Sequence, residues 1–230
     1  MPPADAWART AAALPQSARR ERERPFWLVL RDAWHWRKVA DIGCGAGFHL
    51  ALLADLGVAA FGIDLALGAL ASSPRGRVAA ADLLAPPLRS GRFDGVLCLG
   101  NTLSLLPTRA TQRQALGALA ALLAPDGVLL LQGEDAATTV TRGPVARLRR
   151  LADGGVHVRV FVRRGRHVEM LAAVGRGDGE TDLATTSLLP TGPRAVRGLA
   201  RSCGLAPLPL PVPPPGAAPT WWVALAPARG

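Results

Sequence analysis

Short apolar runs and longer segments with helical periodicity alternate along residues 38–135. The apolar runs have the length of buried strands, and they cover 38–43, 59–65, 77–84, 92–101 and 127–135. Apolar residues recur every three or four positions, as on an amphipathic helix, in 48–57, 66–74 and 108–125. Strand–helix alternation with short connections is typical of parallel strands joined by helical crossovers. The pattern therefore predicts an α/β fold, with an open, mostly parallel sheet and helices on both faces.

The periodicity changes to two from residue 156 onwards, which indicates strands with one buried face. Three such segments cover 156–164, 165–174 and 181–190, and turns rich in glycine join them. We expect these segments to form antiparallel strands added beside the main sheet in the C-terminal third, since antiparallel strands commonly bury only one face.

The remaining segments complete the predicted organisation. They are a helix in 17–35, a closing helix in 192–205, a proline-rich connection in 206–219 and a final strand in 220–228. We expect an arm and a helix in 1–38, and then a single domain in 39–230. Within that domain, 39–135 would be the ligand-binding core, 156–190 a substrate-side addition and 191–230 the closing elements.

The chain has a net charge of +10, which raises the question of a nucleic-acid partner. Lys38 is the only lysine and tyrosine is absent, so the composition reflects a coding bias as much as a basic surface. The charge is uneven: residues 41–135 carry 6 Arg and 8 Asp or Glu, whereas 136–230 carry 13 Arg and 5 Asp or Glu. Most basic faces are simply solvated, so we expect no nucleic-acid partner, although the basic C-terminal third keeps that alternative open.

The three cysteines, Cys44, Cys98 and Cys203, do not have the spacing of metal ligands. Two of them lie in apolar strand patterns, as expected for small buried side chains in a reducing compartment. No apolar stretch reaches the roughly 18 residues of a membrane span. The first residues include Asp5 and Arg9 and lack the apolar block of a secretory signal. We expect a cytoplasmic protein with no metal and no membrane partner.

A turn with three glycines follows the first predicted strand, in the sequence ADIGCGAGF. Gly43, Gly45 and Gly47 let the backbone approach a ligand closely and leave a helix N-terminus pointing at it. Asp41 lies two residues ahead of the turn. A dinucleotide fingerprint, G-x-G-x-x-G, would place its third glycine at Phe48. The shorter G-x-G-x-G spacing therefore predicts a different ligand.

Polar residues end the next three predicted strands as well. Asp64, Asp82 and Asn101 would meet at the carboxyl edge of the sheet, where open α/β sheets bind ligands. Asp64 is placed to accept hydrogen bonds from two ribose hydroxyls. Asp82, with Leu83 beside it, is placed to meet an adenine edge, and Asn101 faces the chemistry.

The motifs VADIGCGAG, FGIDLA, ADLL and FDGVLCLGNTLSLL resemble, in this order, four motifs of the class I S-adenosylmethionine-dependent methyltransferases. The resemblance covers about residues 17–135, and CLGNTLSLL is most similar to glycine N-methyltransferase and its bacterial relatives. It implies a Rossmann-like fold, S-adenosyl-L-methionine as cofactor and methyl transfer as the activity.

The resemblance also implies a role for individual residues. The three glycines would take the methionine part of the cofactor, the backbone of Leu99 would lie by its amino group, and Arg19 would hold its carboxylate. Trp7 falls near a tryptophan that packs on the cofactor, or else belongs to an exposed arm. The implied cofactor-binding set is Arg19, Asp41, Gly43, Gly45, Gly47, Asp64, Leu65, Asp82, Leu83 and Leu99.

Two positions bear on the methyl acceptor. Asn101 matches an asparagine that helps hold the substrate carboxylate in glycine-methylating relatives, whereas Glu134 stands where those relatives have an arginine clamp. An acid in place of the clamp argues against glycine and suits an amine, another cationic group or a base; a solvated loop is the alternative for Glu134. We therefore predict Asn101 and Glu134 as catalytic residues and a small-molecule acceptor methylated on nitrogen.

Other assignments stay open. His49 is a candidate base or a packing residue, and we expect His157 and His167 at the surface. An RNA or other nucleic-acid methyltransferase is one alternative, although the sequence has no aromatic-rich basic patch for base stacking. A cofactor-binding protein without activity is another. The sequence does not predict an oligomeric state.

Overall fold

The computed structural model describes residue 10 and residues 16–71, 73, 76–151, 154–176, 179–216 and 220–228. Seven of the described strands form the main sheet. They are β1 Lys38–Ile42, β2 Ala59–Asp64, β3 Val78–Ala80, β4 Phe93–Cys98, β5 Leu123–Glu134, β10 Leu205–Leu208 and β11 Thr220–Pro227.

The order of these strands across the sheet is β10-β11-β5-β4-β1-β2-β3. The first five strands along the chain pair in parallel, and β11 lies antiparallel between β5 and β10. The strand order reverses at β1, because β2 lies on one side of it and β4 on the other. The carboxyl ends of β1 and β4 therefore border the crevice in which this architecture binds ligands.

Helices cover both faces of the main sheet. They are α1 Ser17–Ala33, α2 Phe48–Asp55, α3 Leu67–Leu70, α4 Arg109–Leu122, α5 Ala136–Thr139 and α6 Pro193–Arg201, with a short 3₁₀ helix at Thr102–Leu105. Helix α4 begins in a capping box between Thr108 and Thr111. Helix α6 begins with Pro193, which suits a first-turn position because proline has no N–H to leave unpaired there.

Two buried apolar clusters hold these layers together. On one face, Leu116 and Leu119 of α4 pack with strand residues such as Ile42. On the other face, Trp27 of α1 and Leu53 of α2 pack against the opposite side of the same strands. Burial of a large apolar side chain contributes about 1.5–3 kcal/mol, so the two clusters fix the strand ends relative to one another. The predicted sheet with helices on both faces is confirmed.

The C-terminal third contributes β10 and β11 to the main sheet, and it also contains most of a separate four-stranded antiparallel sheet. Its strands are β6 Val145–Arg150, β7 Val156–Arg164, β8 His167–Gly175 and β9 Thr181–Leu188, in that order. The three predicted strands are confirmed. Strand β6 is absent from the prediction because it is a mostly exposed edge strand without an alternating apolar pattern.

Three further elements differ from the predicted extents. The third strand of the main sheet stops at Ala80 instead of 84, and α3 covers only one turn. Strand β10 forms at the start of the predicted proline-rich connection. It pairs only with β11, so Pro207 occupies an edge strand, where a missing N–H is tolerated. No helix among the described residues is long and apolar enough to span a membrane.

Candidate functional site

The glycine turn after β1 has a backbone that other residues rarely adopt. Gly43, Gly45 and Gly47 have φ angles of 78°, 53° and 78°, in the left-handed region. The N–H groups of Gly43 and Cys44 donate to the Ile63 carbonyl, so the turn is held against β2. A Cβ at Gly43 would lie 2.6 Å from the Thr102 side chain. Glycine at this position is therefore required both by backbone conformation and by space.

Asp64 at the end of β2 is oriented by two backbone groups. Its Oδ2 accepts a hydrogen bond from the Gly45 N–H at 2.8 Å, and its Oδ1 accepts one from the Ala66 N–H at 2.8 Å. Each carboxylate oxygen has two lone pairs, so both can accept a further hydrogen bond. Leu65 beside it is 59% exposed. Asp64 thus joins the glycine turn to β2 and keeps acceptor capacity toward a ligand.

Asp41 is a buried carboxylate with an unused oxygen. It is 1% exposed, and its Oδ2 has no hydrogen-bond partner among the described residues. Nδ1 of His49 lies 3.7 Å from that oxygen. Burial and the charge of Asp41 together raise the pKa of the Cys98 thiol to about 12. A buried carboxylate is costly without a partner, so this oxygen suits a cationic group bound at the turn.

Arg19 of α1 reaches the start of α2. Its Nε donates to Glu23 at 2.7 Å, and its Nη2 lies 3.4 Å from His49 Nε2. Its guanidinium stacks 3.9 Å above the centre of the Phe48 ring. The ring of His49 packs against Trp27 as well, with 5.1 Å between ring centres. The structure therefore brings Arg19 to the glycine turn and places His49 in packing contacts, with its Nδ1 toward Asp41.

Asp82 and Leu83 lie in the loop after β3 rather than within that strand. Asp82 is exposed, and its Oδ1 accepts a hydrogen bond from the Leu84 N–H at 2.8 Å. Leu83 is half-buried and packs on one of the two core clusters. Both residues follow β3, whose carboxyl end is two strands away from that of β1.

Asn101, after β4, has a left-handed backbone with φ of 71°. Its Oδ1 accepts a hydrogen bond from the Glu134 N–H at 2.6 Å, which ties the end of β4 to the end of β5. The carbonyl of Leu99 accepts a hydrogen bond from the Thr102 hydroxyl at 2.6 Å. Asparagine tolerates this backbone conformation better than most residues, so a structural reason for Asn101 accompanies the predicted catalytic one.

Glu134 is buried at the end of β5, so the alternative of a solvated loop is wrong. Its side chain is 9% exposed, and its Oε1 lies 2.7 Å from Nη1 of Arg147 in β6. The Thr139 hydroxyl donates to the same oxygen at 2.8 Å. The carboxylate predicted to attract a cationic acceptor therefore already pairs with a cation of the protein itself.

One face of the four-stranded sheet packs against α5, and we call this face of the sheet the inner face. Phe161, Met170 and Leu188 lie on it and pack with Ala136 and Val140. Side chains alternate along a strand, so every second residue of each strand shares this face. On β6 and β7 the inner-face residues are Val145, Arg147, Arg149, His157, Arg159, Phe161 and Arg163.

The sequence pattern predicted His157 at the surface, and this is wrong, since the residue is only 6% exposed. Burial lowers the pKa of His157, and the charges of Arg159 and Arg149 lower it further. The arginines of the inner face were not among the predicted site residues. The alternation of side chains along β7 could have placed these arginines on one face. Their proximity to Glu134, however, depends on how the second sheet packs, which the sequence does not show. Trp7 lies outside the described residues.

The sequence of residues 39–127 matches the family described as "Methyltransferase domain". Those residues contain the glycine turn, Asp41, Asp64 and Asn101. Residues 39–127 are therefore similar to methyltransferase domains. This similarity agrees with the methyl transfer that the sequence motifs predict.

Individual methyltransferases are similar over different shares of the chain. A glycine/sarcosine N-methyltransferase of Parasynechococcus marenigrum is 31% identical over 124 residues, which are 50% of this chain and 44% of that protein. The CcbJ methyltransferase from Streptomyces caelestis has the same fold, with a TM-score of 0.75 and 20% identity over 90% of both chains. The sugar N-methyltransferase KedS8 from a Streptoalloteichus species has a TM-score of 0.72 and 21% identity, covering 94% of this chain and 89% of its own. The fold similarity includes the C-terminal third.

Proposed function

We propose that this methyltransferase transfers a methyl group from S-adenosylmethionine to a nitrogen atom of a small molecule. The observation that carries the proposal is the carboxyl edge of β1 and β2. There, a left-handed glycine turn adjoins one buried carboxylate with an unused oxygen, Asp41, and one that is held by backbone N–H groups, Asp64. This combination suits a ligand with an ammonium group and a ribose.

The residues at this edge have complementary roles toward the methyl donor. Asp41 would accept from the donor's amino group and Asp64 from its ribose hydroxyls, while Arg19 would pair with its carboxylate. Leu65, Leu83 and Asp82 would surround the adenine side, and the Leu99 backbone would lie by the amino group. When bound, S-adenosylmethionine supplies an electrophilic methyl group on a sulfonium that leaves readily.

The protein's own contribution is alignment and exclusion of water. Holding two reactants in near-attack geometry can supply about 7–11 kcal/mol of the barrier, so methyl transfer needs no dedicated pair of acid and base. An amine nucleophile must be neutral and correctly oriented. Asn101 is the residue we assign to that orientation, because its side chain lies where β4 and β5 end together. Its amide nitrogen can donate while Oδ1 holds the Glu134 N–H.

The names of similar proteins support a nitrogen acceptor. Both the glycine/sarcosine N-methyltransferase and KedS8 are N-methyltransferases by name. The match to the former covers less than half of its length, so its substrates do not carry over to this chain directly. Transfer to nitrogen is therefore a more specific proposal than methyl transfer itself.

A product analysis tests this function. The protein is incubated with S-adenosylmethionine and matched pairs of small amines and the corresponding alcohols, and methylated products are identified by mass spectrometry. We expect methylation of amines and release of S-adenosylhomocysteine in equal amounts. Methylation of the alcohols alone would contradict the nitrogen assignment. Tight donor binding without transfer to any acceptor, RNA included, would instead identify a binding protein.

A further inference from the structure

We infer that the inner face of the four-stranded sheet is an anion-binding surface, which holds a carboxylate or phosphate group of the methyl acceptor through Arg159. The anion site itself is independent of the proposed function. Only the statement that the bound anion belongs to the methyl acceptor rests on it.

The strand register gathers the positive charges. Arg147 of β6 lies directly opposite Arg159 of β7, and Arg149 lies opposite His157. Residues directly opposite one another in antiparallel strands share a face, with Cβ atoms about 4.5–5.5 Å apart. Like charges in such pairs are destabilising. Three guanidinium groups and one imidazole therefore occupy adjacent positions on one face.

Glu134 partly compensates these charges. Glu134 pairs with Arg147 at 2.7 Å, and its charge stabilises the charged form of Arg159 without a direct ion pair. Within the described part of the chain, neither the Arg159 guanidinium nor the Arg149 guanidinium has a hydrogen-bond or ion-pair partner. Burial lowers the pKa of Arg159, as do the charges of Arg147 and Arg149, whereas Glu134 raises it.

A half-buried guanidinium beside two others is unfavourable unless an anion compensates it. Planar guanidinium groups bind carboxylate and phosphate through two parallel hydrogen bonds, which makes Arg159 suited to either group. A bound anion would thus compensate Arg159, one of the two unpaired arginines of the cluster.

The location links this anion to the methyl acceptor. Glu134, which contacts the arginine cluster, also donates its backbone N–H to Asn101 at 2.6 Å. Asn101 lies at the carboxyl end of β4, beside the strand that precedes the glycine turn. An acceptor held by its anionic group at Arg159 would therefore extend toward the edge where the methyl donor is proposed to bind.

A second basic opening on the same molecule is a weaker candidate. A cavity of about 640 Å³ is lined by Arg109, Arg163, Arg166 and His167, together with apolar residues. The guanidinium of Arg109 is already bonded to Gln112, Thr191 and the Pro190 carbonyl. Arg163 and Arg166 are exposed and can be solvated freely. Arg163→Gln therefore serves as a control for Arg159→Gln, because it removes an arginine from the cavity instead of the cluster.

Direct anion binding is the first test. Inorganic phosphate and acetate are titrated by calorimetry into the wild type and three variants, each at saturating S-adenosylhomocysteine and again without it. Arg159→Gln removes the proposed anchor. Arg164→Gln removes the same charge from the outer face of the same strand, and Arg163→Gln removes one from the cavity. The melting temperature of each variant is recorded, so that unfolding is separated from lost binding.

We expect the wild type, Arg164→Gln and Arg163→Gln to bind phosphate alike. Arg159→Gln should bind roughly 10-fold to 100-fold more weakly, the range expected for a lost hydrogen-bonded charge pair. Absence of anion binding in the wild type, or equal binding by folded Arg159→Gln, overturns the inference. A loss in Arg163→Gln alone overturns it too and moves the site to the cavity.

Matched acceptors then identify the anion. β-Alanine is compared with its amide, and phosphoethanolamine with ethanolamine, as methyl acceptors. We expect the member of one pair that carries the carboxylate or phosphate to exceed the member without it by roughly 10-fold or more in kcat/KM, and this preference to vanish in Arg159→Gln. The pair that responds distinguishes a carboxylate from a phosphate. A preference for neutral members, or one that survives in Arg159→Gln, contradicts the role of Arg159. Failure of S-adenosylmethionine to bind would refute the proposed function while leaving the phosphate titration to decide the anion site.

Discussion

The carboxyl edge of β1 and β2 carries carboxylates, whereas the inner face of the four-stranded sheet carries mainly arginines. At the edge, two carboxylates stand near a turn of backbone N–H groups, and Asp64 has each oxygen bonded to one. On the inner face, Arg147, Arg149 and Arg159 occupy adjacent positions, and Glu134 forms an ion pair with Arg147. The first region suits a ligand with an ammonium group and hydroxyls, and the second suits an anion.

The two regions also differ in how they are built. The edge comes from one β-α-β segment in which the turn, the helix start and Asp64 are close in sequence. The inner face needs two hairpins in register and a contact between β6 and the end of β5. In the proposed assignment, the donor site is thus encoded locally, whereas the acceptor site depends on the register and charges of the second sheet.

The largest effect should come from Gly43→Ala. A left-handed backbone costs a residue with a side chain about 1–3 kcal/mol, and the new Cβ would lie 2.6 Å from Thr102. We expect S-adenosylmethionine affinity to fall by ~100-fold or more, because ~2.8 kcal/mol corresponds to that factor. Calorimetry measures it. The control is Gly198→Ala, where a Cβ meets no atom within 4 Å. Unchanged binding in Gly43→Ala would show that the turn does not shape the site.

Asn101 connects the two regions, and two substitutions separate its contributions. Asn101→Ala leaves the Glu134 N–H without its acceptor, at a cost of about 1–3 kcal/mol, and strains the left-handed backbone further. Asn101→Gly loses the same hydrogen bond but relieves the strain. We expect the free energy of unfolding, measured with denaturant, to be highest in the wild type, lower in the glycine variant and lowest in the alanine variant. If both variants keep full turnover at a temperature where they are folded, Asn101 is not catalytic.

Much of the fold followed from local patterns, and the residues of the proposed donor site are near one another in sequence. Alternating apolar runs predicted β1 to β5, and the G-x-G-x-G spacing predicted the turn. The acceptor side could not be predicted in the same way. Glu134 pairs with Arg147, which lies thirteen residues further along the chain and in the second sheet. His157 is buried because the strand register places it on the inner face. Strand β6 lacks an alternating pattern because its residues are mostly exposed.

Glu134→Gln should act mainly on specificity. The Arg147 side chain is 42% exposed and stays solvated without its partner, and glutamine keeps an acceptor for Thr139, so the substitution should lower the free energy of unfolding by only about 1 kcal/mol. The inner face would become more positive, and we expect a stronger preference for the anionic member of each acceptor pair. Competition assays between the two members measure it. Glu180→Gln, at an exposed ion pair in the β8–β9 hairpin, is the control. A shift toward cationic acceptors would contradict the assignment of Glu134 as a counter-charge.

The smallest effect concerns pH. The pKa of His157 is lower in the folded protein, so the unfolded chain binds its proton more readily. The neutral imidazole is favoured above the unfolded pKa of about 6.5, and stability is lost as the pH falls below that value. We expect the free energy of unfolding to drop between about pH 7.5 and 5.5 in the wild type and less in His157→Gln. An equal drop in both would place His157 outside the basic cluster. His167→Gln serves as the comparison.

The most direct test of the account is calorimetric titration of S-adenosylmethionine into the wild type, Asp64→Ala, Asp64→Asn and the loop control Asp126→Ala. Loss of hydrogen bonds from ribose to a charged acceptor should weaken binding by ~10-fold or more in Asp64→Ala, with a smaller loss in Asp64→Asn. Asp126, exposed within the bulged start of β5, should have no influence. We expect tight binding by the wild type and by Asp126→Ala. Absence of binding by the wild type at millimolar concentration, or equal binding by folded Asp64→Ala, would contradict it.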